Sequence, residues 1–284
     1  YLNDLSKYEL PRNEDKLDYE ERPLLSVITA RGCPYRCAFC FEGGNSKKLR
    51  MRPVEQVLNE IELRLKSSHG PRYLFFADDT LTTHLPRLRK LLAGLKILRE
   101  KYDFVSFCEG HPGFLAKNPE LIREMIDSGM ARMQIGMESG VEDVLDAYGK
   151  QAGPEDIEKI VRICYQEGLP QLTGNYIIGG VFESEKTLQV TAQTALKLLE
   201  LAPGLLDLST TFIMPLPGTE IYNHPENFGI VLEDRDYITS IEDFPVNHTN
   251  DLSLKEVCMG RSRFITKVSN KMKEQFEKGL IPKA

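Results

Sequence analysis

The chain has 284 residues, 41% of them hydrophobic and 27% charged. That balance is ordinary for a folded globular protein, and a chain this long buries roughly 75% of its unfolded surface without needing disulfides. Its 36 basic and 42 acidic side chains give a net charge of −6, the wrong sign for a protein that lives on nucleic-acid phosphates.

Residues 1–22 are polar and charged and show no helical or strand period, so they are expected to be a linker from a preceding N-terminal domain. The chain does not begin with Met, and its first residues have neither a basic n-region nor an apolar h-region. No run of 18 apolar residues is found anywhere, which argues against a membrane span. Short apolar runs predict strands at Leu25–Ala30, Arg72–Ala77, Phe104–Cys108, Ala131–Met137, Leu172–Ile178 and Asp207–Ile213. Between them lie helical periods. Val54, Val57, Leu58, Ile61 and Leu65 mark the first, and Leu88, Leu91, Leu92, Leu95 and Leu98 the second. A third helix is expected to open at Asn118-Pro119 and close at Gly129. Ile157, Ile160, Val161 and Cys164 share a face of the fourth, which Gly168 ends, and Leu188, Ala192, Ala195 and Leu199 mark the fifth.

Strands alternating with helices in this way are repeated right-handed βα units. A sheet covered by helices on both faces is apolar on both. Here Gln134 and Glu138, Thr173 and Asn175, and Ser209 and Thr211 put polar groups on one alternate face. The expected fold is therefore α/β, a partial (β/α)6 barrel over residues 23–220 with its site at the C-terminal strand ends. Residues 221–284 are expected to form a C-terminal extension. It begins irregularly and ends in a helix with Leu254, Val257, Cys258, Ile265, Val268 and Met272 on one face.

Three of the six cysteines, Cys33, Cys37 and Cys40, fall in RGCPYRCAFC, directly after the first predicted strand. A secreted disulfide scaffold is small and spreads its cysteines in pairs, so this clustering points to a reduced, cytosolic metal or redox site. Three thiolates on a short loop can hold three irons of a [4Fe–4S] cube and leave the fourth iron open to a small molecule. Structural zinc prefers paired knuckles, and no second C-x2-C pair exists. Zinc and a chance grouping of buried thiols are the alternatives at this point.

RGCPYRCAFC resembles the signature of the radical S-adenosylmethionine (radical SAM) superfamily, including the aromatic Phe39 before the last cysteine. The resemblance extends over roughly residues 25–220. It is nearest to the branch of the cobalamin-dependent enzymes, the methylthiotransferases and the oxygen-independent coproporphyrinogen oxidases. It implies a [4Fe–4S] cluster on Cys33, Cys37 and Cys40 and SAM on the open iron. It also implies reductive cleavage to a 5′-deoxyadenosyl radical, and a reductant such as flavodoxin or ferredoxin. Ala77-Asp78-Asp79-Thr80 resembles the branch's Asp-Asp variant of the stretch that holds the SAM amino group; a helix N-cap pair is the alternative. CEGHP places Glu109 at a SAM-contacting position, and IGMESG places Glu138 at the ribose. Lys150 stands where some relatives use an arginine for the SAM carboxylate, and Asn175 where the branch has an Asp. TFIMPLPGTEIY resembles the final strand and turn, with Met214 beside adenine. Gly179-Gly180-Val181-Phe182-Glu183-Ser184 departs from the relatives' Gly-Leu-Pro-Gly-Glu-Thr.

Cobalamin is expected only through a domain outside this chain, because no Asp-x-His-x-x-Gly lower-ligand motif surrounds any of the five histidines. Cys108 ends the third predicted strand beside Glu109 and is the candidate hydrogen donor for an epimerase-type alternative. Cys164 and Cys258 lie on apolar helix faces as small hydrophobes. His111 is expected as a solvated loop histidine. The acidic stretch from Glu233 to Asp243 disfavours a polyanion, so a peptide or small metabolite is the expected substrate, and the extension is expected to close the barrel and select it. An iron–sulfur electron-transfer protein that binds no SAM is the reading from another class.

Overall fold

Each βα unit returns the chain to the same end of the sheet, so successive strands run parallel. The computed structural model describes residues 18–19, 22–42, 48–67, 72–233 and 245–281. Its strands are β1 (Asp18–Tyr19), β2 (Arg22–Val27), β3 (Ala30–Arg31), β4 (Arg50–Met51), β5 (Arg72–Phe76), β6 (Phe104–Gly110), β7 (Met130–Glu138), β8 (Gln171–Ile178) and β9 (Leu206–Phe212). The main sheet has the order β1-β2-β5-β6-β7-β8-β9, parallel except for β1, which pairs antiparallel with β2. Among the described residues β2 and β9 do not meet, which leaves the barrel open on that side.

The helices are α1 (Val54–Ser67), α2 (Leu85–Arg99), α3 (Pro112–Lys117), α4 (Leu121–Asp127), α5 (Glu142–Ala147), α6 (Pro154–Glu167), α7 (Glu185–Leu201), α8 (Glu220–Asn223) and α9 (Leu254–Glu277). Two short strands, β10 (Ile230–Leu232) and β11 (Asn247–Thr249), pair antiparallel in the extension. The helices lay one apolar stripe each onto the sheet. Ile61, Leu91, Leu95, Leu121, Ile160 and Leu198 pack in one core with Leu74, Phe76, Met133 and Leu172 from the strands. Each such buried side chain contributes about 1.5–3 kcal/mol of transfer free energy. The opposite strand parity carries Glu109, Gln134, Asn175 and Thr211 into a cavity, as the polar alternation predicts.

The structure corrects three local expectations. The first strand starts at Arg22 and ends at Val27 instead of running through Ala30. Beyond Val27 the ladder is replaced by a side chain: the Thr29 amide donates to Asp78 Oδ1 at 2.5 Å, and Ala30–Arg31 turns away to pair with Arg50–Met51. Asn118 closes α3 rather than opening the next helix, its Nδ2 donating to the Phe114 carbonyl at 2.8 Å, and α4 begins after Glu120. On α9 the buried stripe is Val257, Gly260, Phe264, Val268 and Gln275, while Ile265 is exposed. Spacing from Val257 reaches 260, 264 and 268 in turn, and Ile265 is one position off that line. Apart from Asp18–Tyr19 and Arg22, the expected linker lies outside the described residues, as does the acidic stretch beyond Glu233.

Candidate functional site

The cavity sits at the C-terminal strand ends and measures about 550 Å³, within the range of small-molecule sites. Cys33, Cys37 and Cys40 line one end of it. Their loop is held by neighbours, not by itself. The Ala38 amide donates to the Tyr148 carbonyl at 2.9 Å, the Ile221 amide donates to the Ala38 carbonyl at 3.2 Å, and the Cys40 amide closes a turn on the Cys37 carbonyl. Gly149, at φ +69°, approaches Arg36 so closely that a Cβ would lie 3.2 Å from its carbonyl oxygen. Phe39 meets Tyr148 edge-on with ring centroids 5.1 Å apart. All three thiols are free, and burial pushes that of Cys37 up to about 11. Such thiols ionise readily only beside a cation.

Glu138 and Lys150 form the centre of the polar wall. Lys150 Nζ donates to Glu138 Oε1 at 2.6 Å, with both side chains 8% exposed. Burial alone would lower the Lys150 pKa, but Glu138, Cys37 and Cys33 outweigh it and hold the ammonium above its usual range. Glu138 stands at φ +54°, left-handed backbone that only a few per cent of non-glycine residues adopt and that clusters at functional sites. The β7–β8 register shifts between Gly136 and Glu138, which turns the carboxylate into the cavity. Gly136 is a close-approach glycine, since a Cβ there would lie 2.0 Å from Glu138 Oε1 and 2.5 Å from Lys150 Nζ.

The remaining expected residues divide. Asp79 lines the cavity and accepts the Gly32 amide at 2.9 Å, joining the second strand end to the cysteine loop. Glu109 lines it too, and its pKa is raised by burial first and by Asp79 next. Asn175 accepts the Ser209 hydroxyl, and Met214 lies half-buried at the far wall. Asp78 departs from the expectation. Its two oxygens accept the Thr29 amide and the Thr29 hydroxyl, both at 2.5 Å, so it braces the loop after β2 from outside the cavity lining.

Cys108 is likewise corrected. It is fully buried in the apolar core between sheet and helices, because strand alternation sends Glu109 inward and Cys108 outward. Its thiol, raised by burial, faces away from the reacting space, so the hydrogen-donor expectation does not hold in this geometry. His111 is not solvated. It is 6% exposed, stacks on Tyr35 with centroids 3.5 Å apart, caps α3 through Nδ1, and its Nε2 lies 2.8 Å from the Lys150 carbonyl. Burial and the nearby Lys150 lower its pKa to about 3, which keeps the ring neutral. Tyr35, Thr80, Gly136 and Thr211 also line the cavity, although the sequence assigned none of them a role in the site. Gly136 lay inside IGMESG, and the period-2 alternation of the last strand carried Thr211.

Three thiols on one loop match the cysteine donor set of an iron–sulfur cluster. Among the described residues no three His, Cys, Asp or Glu side chains converge on one point as a tetrahedral ion requires. A cube distributes its cysteine ligands over three separate irons. Against the cysteines stands an acid-rich wall of Asp79, Glu109 and Glu138 with one ammonium, Lys150. That wall suits a small molecule carrying positive charge.

A family model described as the radical SAM superfamily matches residues 27–195. The chain belongs to the radical SAM superfamily. The cofactors of that superfamily are a [4Fe–4S] cluster and SAM. An uncharacterized methyltransferase of Pyrococcus horikoshii is 28% identical over 228 residues, covering 79% of this chain and 47% of that protein. The chain thus spans about half of that relative's length. Among solved structures, the radical SAM methyltransferase TsrM from Kitasatospora setae, with cobalamin and a [4Fe–4S] cluster bound, superposes with a TM-score of 0.60 at 17% identity. That match covers 77% of this chain and 43% of TsrM. Coproporphyrinogen III oxidase from Escherichia coli, described as a radical SAM enzyme, gives 0.58 at 18% identity over 90% of this chain and 54% of its own. Both likenesses establish the partial-barrel fold. No helix among the described residues is long and apolar enough to cross a membrane.

Proposed function

We propose that Cys33, Cys37 and Cys40 hold the [4Fe–4S] cluster and that SAM lies across the strand ends between the cysteine loop and Met214. The observation that carries this reading is the shared cavity: the three thiols and Asp79, Glu109, Glu138, Lys150 and Asn175 line one space. Bound there, the two cofactors supply a one-electron cleavage that yields methionine and a 5′-deoxyadenosyl radical for hydrogen abstraction from an organic substrate. The protein's own residues orient and shield. Glu138 accepts hydrogen bonds from ribose hydroxyls, and Lys150, which donates to Glu138 Oε1, offers a cation to the carboxylate of SAM. Asp79 and Glu109 supply acceptors and negative charge for the ammonium. Asn175 offers an amide where a carboxylate would add charge. Phe39 and Met214 supply apolar surface, Met214 beside the adenine, and the Ile177 and Ile213 side chains exclude water from the same wall.

Asp78 belongs to this scheme as the brace of the β2 loop. We assign residues 23–220 to the radical SAM barrel and 221–284 to closing its open side and selecting substrate. Support comes from α9, which packs on α7, β8 and β9 beside the opening. The methyltransferase name of the Pyrococcus relative favours methyl transfer as the outcome, with cobalamin brought by a separate domain as in the TsrM branch. The test is anaerobic reconstitution with iron and sulfide, followed by mass detection of all adenosyl products. Cluster iron together with 5′-deoxyadenosine is expected, and S-adenosylhomocysteine beside it would mark methyl transfer. A fully loaded protein that contains zinc and no iron, or that yields no 5′-deoxyadenosine with dithionite and SAM, would overturn the reading.

A further inference from the structure

His111 lines the cavity and touches two of its walls, although it is 6% exposed. On one side its ring stacks on Tyr35, with centroids 3.5 Å apart and planes 8° from parallel. Tyr35 lies between Cys33 and Cys37 on the cysteine loop. On the other side Nε2 is 2.8 Å from the Lys150 carbonyl oxygen. The Phe114 amide donates to Nδ1, so Nδ1 carries no proton. The ring hydrogen therefore sits on Nε2 and is donated to Lys150. Both ends of this bridge are anchored. The His111 amide donates to Thr82 Oγ1 at 2.7 Å, and Thr82 is fully buried. The Lys150 amide donates to the Leu145 carbonyl at 3.0 Å. Gly113 then comes so close to the next peptide that a Cβ on it would lie 2.2 Å from the Gln151 carbonyl oxygen. Gln151 itself stands at φ +54°, a left-handed conformation that persists only where its surroundings impose it.

We propose that His111 is a positioning residue for SAM: its ring sets the spacing between the cysteine loop and the Lys150 backbone, and so places the Lys150–Glu138 pair against the cluster end of the cavity. The proposal rests on the reading that SAM spans these two walls. Lys150 reaches Glu138 Oε1 with its ammonium at 2.6 Å, and its side chain starts from the peptide that His111 holds. A shift of that peptide moves the ammonium and carries Glu138 with it. Binding groups on two separate walls grip one small molecule well only when the distance between the walls is fixed beforehand, and small displacements of such groups are costly. His111 makes that distance a property of one planar ring, stacked on one wall and hydrogen-bonded to the other.

Two substitutions separate the ring nitrogens. The side-chain amide of His111→Gln reaches about as far as Nε2 and keeps a donor for the Lys150 carbonyl, whereas that of His111→Asn ends near Nδ1 and keeps only the acceptor that caps α3. Equilibrium dialysis of SAM with the reconstituted protein is expected to show a loss of about threefold to tenfold for His111→Asn, the worth of one neutral hydrogen bond, and a change within about twofold for His111→Gln. The melting temperatures are expected in the opposite order, with His111→Asn the higher because it keeps the cap. In a Lys150→Gln background His111→Asn is expected to add no further loss of affinity, since residues that act through one another are not additive. Amide hydrogen exchange read by mass spectrometry is expected to quicken at residues 148–152 in the Asn variant and not in the Gln variant. Wild-type SAM affinity in His111→Asn, losses that follow the melting temperature in both variants, or additive losses in the Lys150→Gln background would overturn the proposal. A wild-type protein that binds no SAM counts against the assignment of the cavity instead. The exchange comparison then decides, and unchanged exchange at residues 148–152 in His111→Asn overturns the bridge.

Discussion

Glu138 is where backbone strain, burial and charge meet in one residue. Its removal takes away a charged acceptor but no cluster ligand. Glu138→Ala is expected to leave the iron content unchanged and to weaken SAM binding by roughly 10-fold to more than 100-fold, the equivalent of about 1.5–3 kcal/mol. Equilibrium dialysis of reconstituted protein checks it. Gly136→Ala tests the same pair from the other side. The new methyl group meets the tips of Glu138 and Lys150, so the fold is expected to persist while SAM affinity falls by a similar factor. A second titratable residue governs pH. Glu183 is buried, its carboxyl is pushed up to about 8 by that burial, and its Oε2 accepts the Gly179 amide. The unfolded chain releases this proton near its usual value of 4.5, so the folded state holds one more proton across the window between them. The resulting stability is full below the unfolded value and is lost as pH rises toward about 8. Glu183→Gln keeps an oxygen for Gly179 and has no proton to lose. Its melting temperature is expected to vary less with pH across that window and to exceed the wild type's near pH 8. An unchanged slope by circular dichroism would refute this.

At the level of elements, the last strand has an exposed edge, and α9 manages it. Arg261 lays its guanidinium 4.7 Å above the Phe212 ring and donates from Nε to Thr210 Oγ1 and from Nη2 to the Thr210 carbonyl, both at 3.2 Å. An unpaired edge carbonyl is a template for association with other chains, and charged side chains on edges guard against it. Arg261→Met keeps most of the stem volume and loses these bonds. It is expected to cost about 1–2 kcal/mol, the range of one or two partly exposed hydrogen bonds. Urea denaturation reads this as a lower midpoint with an unchanged slope. The helix also starts firmly. Ser253 and Glu256 form a reciprocal capping box, with the Ser253 amide donating to Glu256 Oε2 at 2.8 Å.

For the whole molecule, the site and the core are separate. The large core joins α1, α2, α4, α6, α7 and the sheet without Cys33, Cys37 or Cys40. A smaller apolar group, with Ala38, Tyr148, Ile177, Val181 and Ile221, backs the cysteine loop. Replacing all three cysteines by Ala is therefore expected to abolish cluster binding and leave the far-ultraviolet spectrum and cooperative melting in place. The melting temperature is expected to drop by no more than a few degrees, as for about 1–2 kcal/mol in a domain of this size. Collapse of the fold in that variant, seen by calorimetry, would mean that the cluster is a structural staple.

Local patterns in the sequence determined the order of βα units, the helix stripes of α1, α2, α6 and α7, and the cysteine loop after the first long strand. These are readable because strand and helix periods and thiol spacing are properties of neighbours along the chain. Polar alternation on β7, β8 and β9 also determined which strand face meets the cavity. Tertiary structure decided what depends on distant partners. Asp78 and Asp79 are adjacent, yet Thr29 takes the first and Gly32 the second, so one braces a loop while the other lines the site. Cys108 and Glu109 are adjacent too, and only the sheet's curvature says which of them lies inside. His111 became a buried capping ring because Tyr35 and the Lys150 carbonyl, far away along the chain, close over it. A side chain's partner across the fold leaves no period in the sequence, and that is why these assignments waited for the structure.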